Sequence, residues 1–146
     1  MHVIIDNMTE EQLDSVTALE KENFSQPWSY NSFASAINSK DYEYITAVCE
    51  GDVIGYAGMQ VALDEAEITN IAVAKEYRQC GTGGKLIEGL VNMCKKRDVK
   101  YLHLEVRESN TSARKLYEKN GFTIDGIRKN FYQKPTEHAV LMTKLI

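Results

Sequence analysis

Basic charge, paired cysteines, proline and long apolar runs are all scarce in this chain. Its 17 lysines and arginines are outnumbered by 21 aspartates and glutamates, for a formal net charge of -4. A broad nucleic-acid footprint needs a basic surface, so no nucleic-acid partner is expected. The acidic excess suits a basic substrate, although solubility alone also explains it. The three cysteines, Cys49, Cys80 and Cys94, make an odd count without a CxxC pair. Neither a disulfide framework nor a zinc knuckle is suggested, and reduced thiols fit best. The histidines, His2, His103 and His138, lie far apart without ligand spacing, so no metal is expected. No apolar run approaches the roughly 18 residues of a membrane span. The leading MHVIIDNMTEEQ lacks a basic region followed by an apolar stretch, so no signal peptide is expected. A cytoplasmic protein without a membrane partner is the resulting expectation.

Only two prolines occur, Pro27 and Pro135, both where loops are expected, and no repeat or low-complexity linker interrupts the chain. One domain over residues 1–146 is therefore expected. A chain of this length buries about 70% of its unfolded surface, enough for one core without staples.

The hydrophobic period changes along the chain. Val3–Ile5 reads as a short strand. Thr9 with Gln12 forms a capping box, and Leu13, Val16 and Leu19 then mark a helix to about Asn23. Phe24–Trp28 reads as a turn, since Pro27 disfavours helical geometry at Gln26. Ser29 can cap a second helix that carries Phe33, Ala34 and Ile37 on one face. Tyr42–Val48, Val53–Leu63 and Ala66–Val73 alternate as strands, with Gly51 in the first turn. A helix over Gly83–Arg97, a strand over Tyr101–Val106 and a helix over Asn110–Asn120 follow, the last ended by Gly121. Phe122–Arg128 and Ala139–Leu145 read as the closing strands. This order predicts an α/β (α+β) fold with helices on both faces of one sheet. The strands flanking the Gly83–Arg97 helix form a crossover unit and should be parallel.

Between strand and helix stands AKEYRQCGTGG, with the spacing Arg78-x-x-Gly81-x-Gly83. Glycines permit positive φ and close approach of the backbone to a ligand. Successive N–H groups at a helix start form an anion nest, for which a diphosphate is a natural guest. Arg78 or Lys85 can add charge. The GxxxxGK[ST] loop is absent, because Gln79 stands at its first glycine and Leu86 follows Lys85. The dinucleotide GxGxxG is absent too, with Leu86 at its third glycine. A glycine-rich helix start without a ligand is the alternative.

This loop resembles the acetyl-CoA pyrophosphate loop of the GNAT N-acetyltransferases. Further segments resemble one branch, the bacterial ribosomal-protein-alanine N-acetyltransferases: Pro27-Trp28-Ser29 with Phe33, LDEAEITNIAV (63–73), LEVRESNTSARKLYEKNGF (104–122), and Arg128-x-x-Phe131-Tyr132. The resemblance implies a mixed, mostly antiparallel, splayed sheet, with acetyl-CoA entering where two parallel strands part. It implies that Ile71, Ala72 and Val73 lie along the acetyl and pantetheine arm. Gln79, Cys80, Gly81, Thr82, Gly83 and Gly84 would cradle the pyrophosphate, and Asn110 would contact the cofactor near its thiol. Glu105 would be the general base and Tyr117 the general acid. The implied partner is the N-terminus of a ribosomal protein, met by a monomer. The chain departs from the branch at Gln79 and Gly84, where basic residues are frequent, and at Phe131 and His138.

The chemistry needs such groups. An α-amine with a pKa near ~8 is mostly protonated at neutral pH, so acyl transfer to it needs a base, directly or through water. Glu105 alternates with Leu104 and Val106, which puts its carboxylate on the opposite face. Burial would raise its pKa toward a useful value. Tyr117, seven residues after Asn110, is expected two turns along one helix face. A backbone N–H near Val73, where the strands separate, would suit an oxyanion. Blander readings stand beside these: Glu105 as a solvent-face residue, Tyr117 as a core aromatic, Trp28 and Phe24 as ordinary core. Tyr132 is expected in a loop near the acceptor, and Cys80 as a bystander, since direct transfer needs no covalent enzyme intermediate. A small-amine acceptor and a CoA-binding module without catalysis are the competing functions.

Overall fold

The computed structural model describes residues 2–146. In chain order the elements are β1 (Val3–Asn7), α1 (Leu13–Asn23), α2 (Tyr30–Ile37), β2 (Tyr42–Cys49), β3 (Asp52–Ala62) and β4 (Glu65–Val73). Then come α3 (Thr82–Lys96), β5 (Tyr101–Arg107), α4 (Thr111–Lys119), β6 (Thr123–Tyr132) and β7 (Glu137–Leu145). One sheet of seven strands has the order β1-β2-β3-β4-β5-β7-β6. Every pairing is antiparallel except β4 with β5. That parallel pair is the one the α3 crossover requires.

Local chemistry sets the element ends. Ser29 Oγ accepts the Ser32 N–H at 3.1 Å and starts α2. Gly51 takes φ +84 in the β2–β3 turn, and Gly121 takes φ +93 just past α4. Gln12 Oε1 accepts the Thr9 N–H at 3.0 Å, as the capping box predicts. A short 3-10 turn at Glu10–Gln12 precedes α1, however, and another fills Lys75–Tyr77 before the glycine loop.

Two apolar layers hold the sheet. On the front face, α1 and α2 bury Leu13, Val16 and Phe33 against Tyr44 and Tyr56. Phe33 meets Tyr44 and Tyr56 edge-on, each at 5.9 Å between ring centroids. On the back face, α3 places Leu86, Ile87, Leu90 and Cys94 over Ile45, Ala57 and Met59. The C-terminal half of α4 reaches this layer through Tyr117 and Leu116. Each buried leucine or phenylalanine contributes about 1.5–3 kcal/mol, so both layers are substantial. The front helices pack on β2, β3 and β4. At the start of β4 and along β5 the front of the sheet carries Glu67, His103, Glu105 and Arg107 instead of an apolar layer.

The sheet splays where β4 leaves β5. Only Glu65, Ala66 and Glu67 pair with β5, opposite Tyr101, Leu102 and His103. One residue later the β3–β4 register slips, from Met59↔Ile68 to Gly58↔Asn70, which leaves Thr69 as an extra residue in β4. Such a bulge bends its strand and increases its twist. The β5-facing edge of β4 from Ile68 to Val73 therefore has no strand beside it.

Candidate active site

Glu105 lies on β5 just past the last parallel pair, at the mouth of the gap. Its side chain is 17% exposed, and Arg128 Nη1 stands 3.3 Å from its Oε2. That approach is not aligned as a hydrogen bond, and Oε2 is buried without a partner among the described residues. Desolvation raises the Glu105 pKa above the ordinary glutamate range. The neighbouring Glu67 carboxyl raises it further, and Arg128 opposes both. Thus the carboxylate faces the front and is partly withdrawn from water, rather than being an ordinary solvent-face residue.

Tyr132 ends β6, paired with Glu137 across the hairpin, and does not lie in a loop as its sequence context suggests. The strand runs on past Arg128 because the register slips between Arg128 and Tyr132 and the ladder resumes. Arg107 holds this corner. Its guanidinium donates to Gln133 O at 2.8 Å and Pro135 O at 2.9 Å, and it stacks over the Tyr132 ring at 4.6 Å. Burial, then the Glu105 charge, push the Tyr132 hydroxyl up to about 12. Tyr117 is 6% exposed, packs edge-on against Phe122, and has its pKa raised by burial and by Tyr132. Glu105 comes from the front of the sheet and Tyr117 from the back, with Tyr132 in electrostatic reach of both.

Asn110 is the N-cap of α4, its Oδ1 accepting the Ala113 N–H at 3.2 Å. It therefore stands at the helix boundary, one residue before Thr111, rather than within the helix. Ile71, Ala72 and Val73 are half-buried along the partnerless edge of β4.

The glycine loop has the geometry of a nest. Gln79 takes φ +61 and Gly81 φ +85, and α3 begins immediately after. Thr82 Oγ1 is buried at that start without a partner among the described residues. An anion seated here would meet the helix dipole and the first N–H groups of α3. A Cβ at Gly81 would meet nothing within 4 Å, so this position opens outward. Gly83 has a different reason: a Cβ there would stand 2.8 Å from Leu116 Cδ2, so it lets α3 pack against α4. Cys80 is exposed, its Sγ 3.5 Å from Arg78 O. Arg78 turns away from the nest, donating through Nε to Val73 O at 3.1 Å and through Nη2 to Asn23 Oδ1. Of the two cations considered for charge at the loop, Lys85 is left on the first turn of α3. These residues fit the pyrophosphate of a CoA thioester, held mainly by backbone.

One cluster escapes a reading of motifs. Glu20 is 2% exposed beneath the α1–α2 turn. Its Oε1 accepts the Tyr56 hydroxyl at 2.6 Å, and its Oε2 accepts the Trp28 N–H at 2.9 Å and Asn70 Nδ2 at 3.2 Å. Asn70 Oδ1 in turn accepts the Tyr44 hydroxyl at 2.6 Å, and Thr69 Oγ1 lies 2.6 Å from the same hydroxyl. The signal was present: Glu20 lies seven residues after Leu13 and four after Val16, on the apolar stripe itself. Trp28 packs 5.3 Å from Phe33, while Phe24 at the same turn is 40% exposed.

A sheet split between parallel strands, an anion nest at the following helix and a raised carboxylate at the mouth of the split define an acyl-transfer enzyme of the GNAT fold. The chain belongs to the acetyltransferase (GNAT) family, which it matches over residues 11–122. It is 41% identical over 127 residues to the [ribosomal protein bS18]-alanine N-acetyltransferase of Haemophilus influenzae, covering 85% of this chain and 86% of that one. The crystal structure of the ribosomal-protein-S18-alanine N-acetyltransferase from Escherichia coli superimposes with a TM-score of 0.90 at 35% identity, covering 99% of this chain and 94% of that one. Arabidopsis thaliana NAA60, solved in complex with acetyl-CoA, shares the fold at a TM-score of 0.90 and 18% identity, with coverage of 99% and 100%.

Proposed function

We propose that this acetyltransferase moves the acetyl group of acetyl-CoA to a protein N-terminal amine, the N-terminal alanine of a small-subunit ribosomal protein. The observation that carries the reading is the raised carboxylate of Glu105 at the open end of the β4–β5 split. The names of the relatives, matched over most of both chains, support the acceptor. The acetyl-CoA bound by the NAA60 fold neighbour supports the donor.

In this reading the free edge of β4 at Ile71, Ala72 and Val73 runs beside the pantetheine arm. The backbone of Gln79, Cys80, Gly81, Thr82, Gly83 and Gly84 holds the pyrophosphate, and Asn110 contacts the thiol end. The amine enters from the front, between the α1–α2 turn and the β6–β7 hairpin. Glu105 takes a proton from the ammonium, directly or through one water, as its raised pKa suits it to do. The amine nitrogen then bonds to the acetyl carbon while the carbon–sulfur bond breaks, and the second proton that this nitrogen sheds on becoming an amide passes to solvent, from which Tyr117 is reprotonated. Tyr117 gives its proton to the departing thiolate, and the high pKa of its hydroxyl keeps that proton available at neutral pH. The chain acts as one catalytic domain over 1–146, as a cytoplasmic monomer and without a metal.

The test is CoA thiol release from acetyl-CoA with two peptides. One begins with alanine followed by basic residues, and the other is the same peptide with a blocked N-terminus. Release with the free peptide alone is expected. Release with polyamines or aminoglycosides in preference to the peptide would overturn the acceptor. Binding of acetyl-CoA without release on any amine would overturn the catalytic reading.

A further inference from the structure

The buried carboxylate of Glu20 lies outside the chemistry just described, yet it touches both sides of the site. It receives the backbone N–H of Trp28, in the turn that walls the acceptor side, and the amide of Asn70, next to Ile71 on the donor side. From these contacts we infer that Glu20 is a positioning residue, which fixes the Phe24–Ser29 turn against β4 and so sets the acceptor-binding wall. The inference rests on the front-face entry of the amine proposed above.

The proton directions at Glu20 follow from the carboxylate, which can only accept. Asn70 Oδ1 also only accepts, so the Tyr44 hydroxyl donates to it, and the single proton of the Thr69 hydroxyl has both the Tyr44 oxygen at 2.6 Å and Gly58 O at 3.3 Å in reach. Asn70 Nδ2 is then directed at Glu20, as are the Tyr56 hydroxyl and the Trp28 N–H. Burial and the facing Glu20 push the Tyr56 hydroxyl above its ordinary range, which keeps it a donor. Three donors thus converge on one carboxylate that is 2% exposed. Removing the acceptor leaves buried donors unpaired, which is costly, so the turn must rearrange. The turn has few other backbone ties: Phe24 N–H bonds to Glu20 O at 3.0 Å, and Phe33 N–H bonds to Ser29 O at 3.2 Å. Three residues on, Asn23 takes Arg78 Nη2, so the last turn of α1 also braces the strand end at Val73.

The variants Glu20→Met, Glu20→Gln and Tyr56→Phe separate this role from a merely structural one. Glu20→Met keeps the volume and removes every acceptor oxygen. Glu20→Gln keeps one oxygen for Trp28 and Asn70, and the Tyr56 hydroxyl can rotate to accept from its amide. Tyr56→Phe removes a buried bond to the same carboxylate but leaves the turn anchored. Glu20→Met is expected to raise the acceptor-peptide KM about tenfold, with the acetyl-CoA KM changed less than twofold. Glu20→Gln should restore the peptide KM to within about threefold, and Tyr56→Phe should leave it within twofold. A peptide KM within twofold of wild type in Glu20→Met overturns the inference. So does a parallel loss in all parameters for Glu20→Met and Tyr56→Phe. Hydrogen exchange supplies a readout independent of turnover. The wild-type Trp28 amide should exchange at least 100-fold more slowly than those of Ser25 and Gln26, and this protection should vanish in Glu20→Met. Fast exchange of Trp28 in the wild type overturns the inference even if Glu20→Met does not fold. If the wild-type enzyme turns over no peptide while Trp28 is protected, the acceptor reading fails and the anchor stands.

Discussion

Glu67 and Glu105 stand on the front edges of the two strands that part, close enough for one carboxyl to raise the pKa of the other. Arg128, 3.3 Å from Glu105, pulls in the opposite direction. The protonation of the proposed base is therefore set first by its desolvation and then by two neighbours of opposite sign.

This yields a pH prediction with a definite sign. Glu105 works as a base only when deprotonated, so turnover should rise with pH through its raised pKa. Glu67→Gln removes a contribution that raises that pKa and should move the rising limb to lower pH. Arg128→Gln removes the opposing contribution and should move it to higher pH. Profiles of kcat at saturating peptide check both, and shifts in the same direction would contradict the pairing.

Removing the proposed base should cost most of the rate. Glu105→Gln is expected to lower kcat by about 10²–10⁴, the usual worth of a positioned proton acceptor. Tyr117→Phe should lower kcat by about a hundredfold on the same ground. Acetyl-CoA affinity should change little in either, as calorimetry would show. A double variant with wild-type turnover would remove both roles.

The nest should be sensitive to conformation rather than to charge. Gly81 takes φ +85, which a β-branched residue adopts only at a cost of roughly 1–3 kcal/mol. Gly81→Val should weaken acetyl-CoA binding about tenfold or more. Gly81→Asn should be milder, because asparagine tolerates the left-handed region. Equal losses for both would point to volume instead.

Gly58 is closed to any side chain. A Cβ there would stand 2.0 Å from Tyr44 Cε1, against the ring whose hydroxyl meets Thr69 at the bulge. Gly58→Ala should destabilise the fold by about 2–3 kcal/mol, as overpacking does. It should also lower kcat/KM, since the displaced Tyr44 releases Thr69 and Asn70. Thermal unfolding together with kinetics at a permissive temperature tests both consequences.

Much of this protein was legible in its residues. Period-two and helical stretches located the strands and helices, because burial of one face imposes those spacings. The α3 crossover required β4 and β5 to be parallel. The Arg78-x-x-Gly81-x-Gly83 spacing pointed to the nest, and the alternation about Glu105 gave its face. Local sequence was less decisive for Tyr132, which continues β6 because Arg107 and the β7 ladder hold the hairpin. It also left open which cation would serve the nest, and Arg78 turned instead to Val73 and Asn23.

By itself the sequence determined what depends on neighbours along the chain: element type, capping, the crossover and the glycine turn. Tertiary structure alone decided what depends on residues distant in the chain. The Thr69 bulge, the gathering of Trp28, Tyr56 and Asn70 around Glu20, and the pairing of Glu67 with Glu105 are of this kind. A buried hydrogen bond or a coupling between two carboxyls forms between whichever groups the packed sheet brings together, and no periodicity in either segment encodes that meeting.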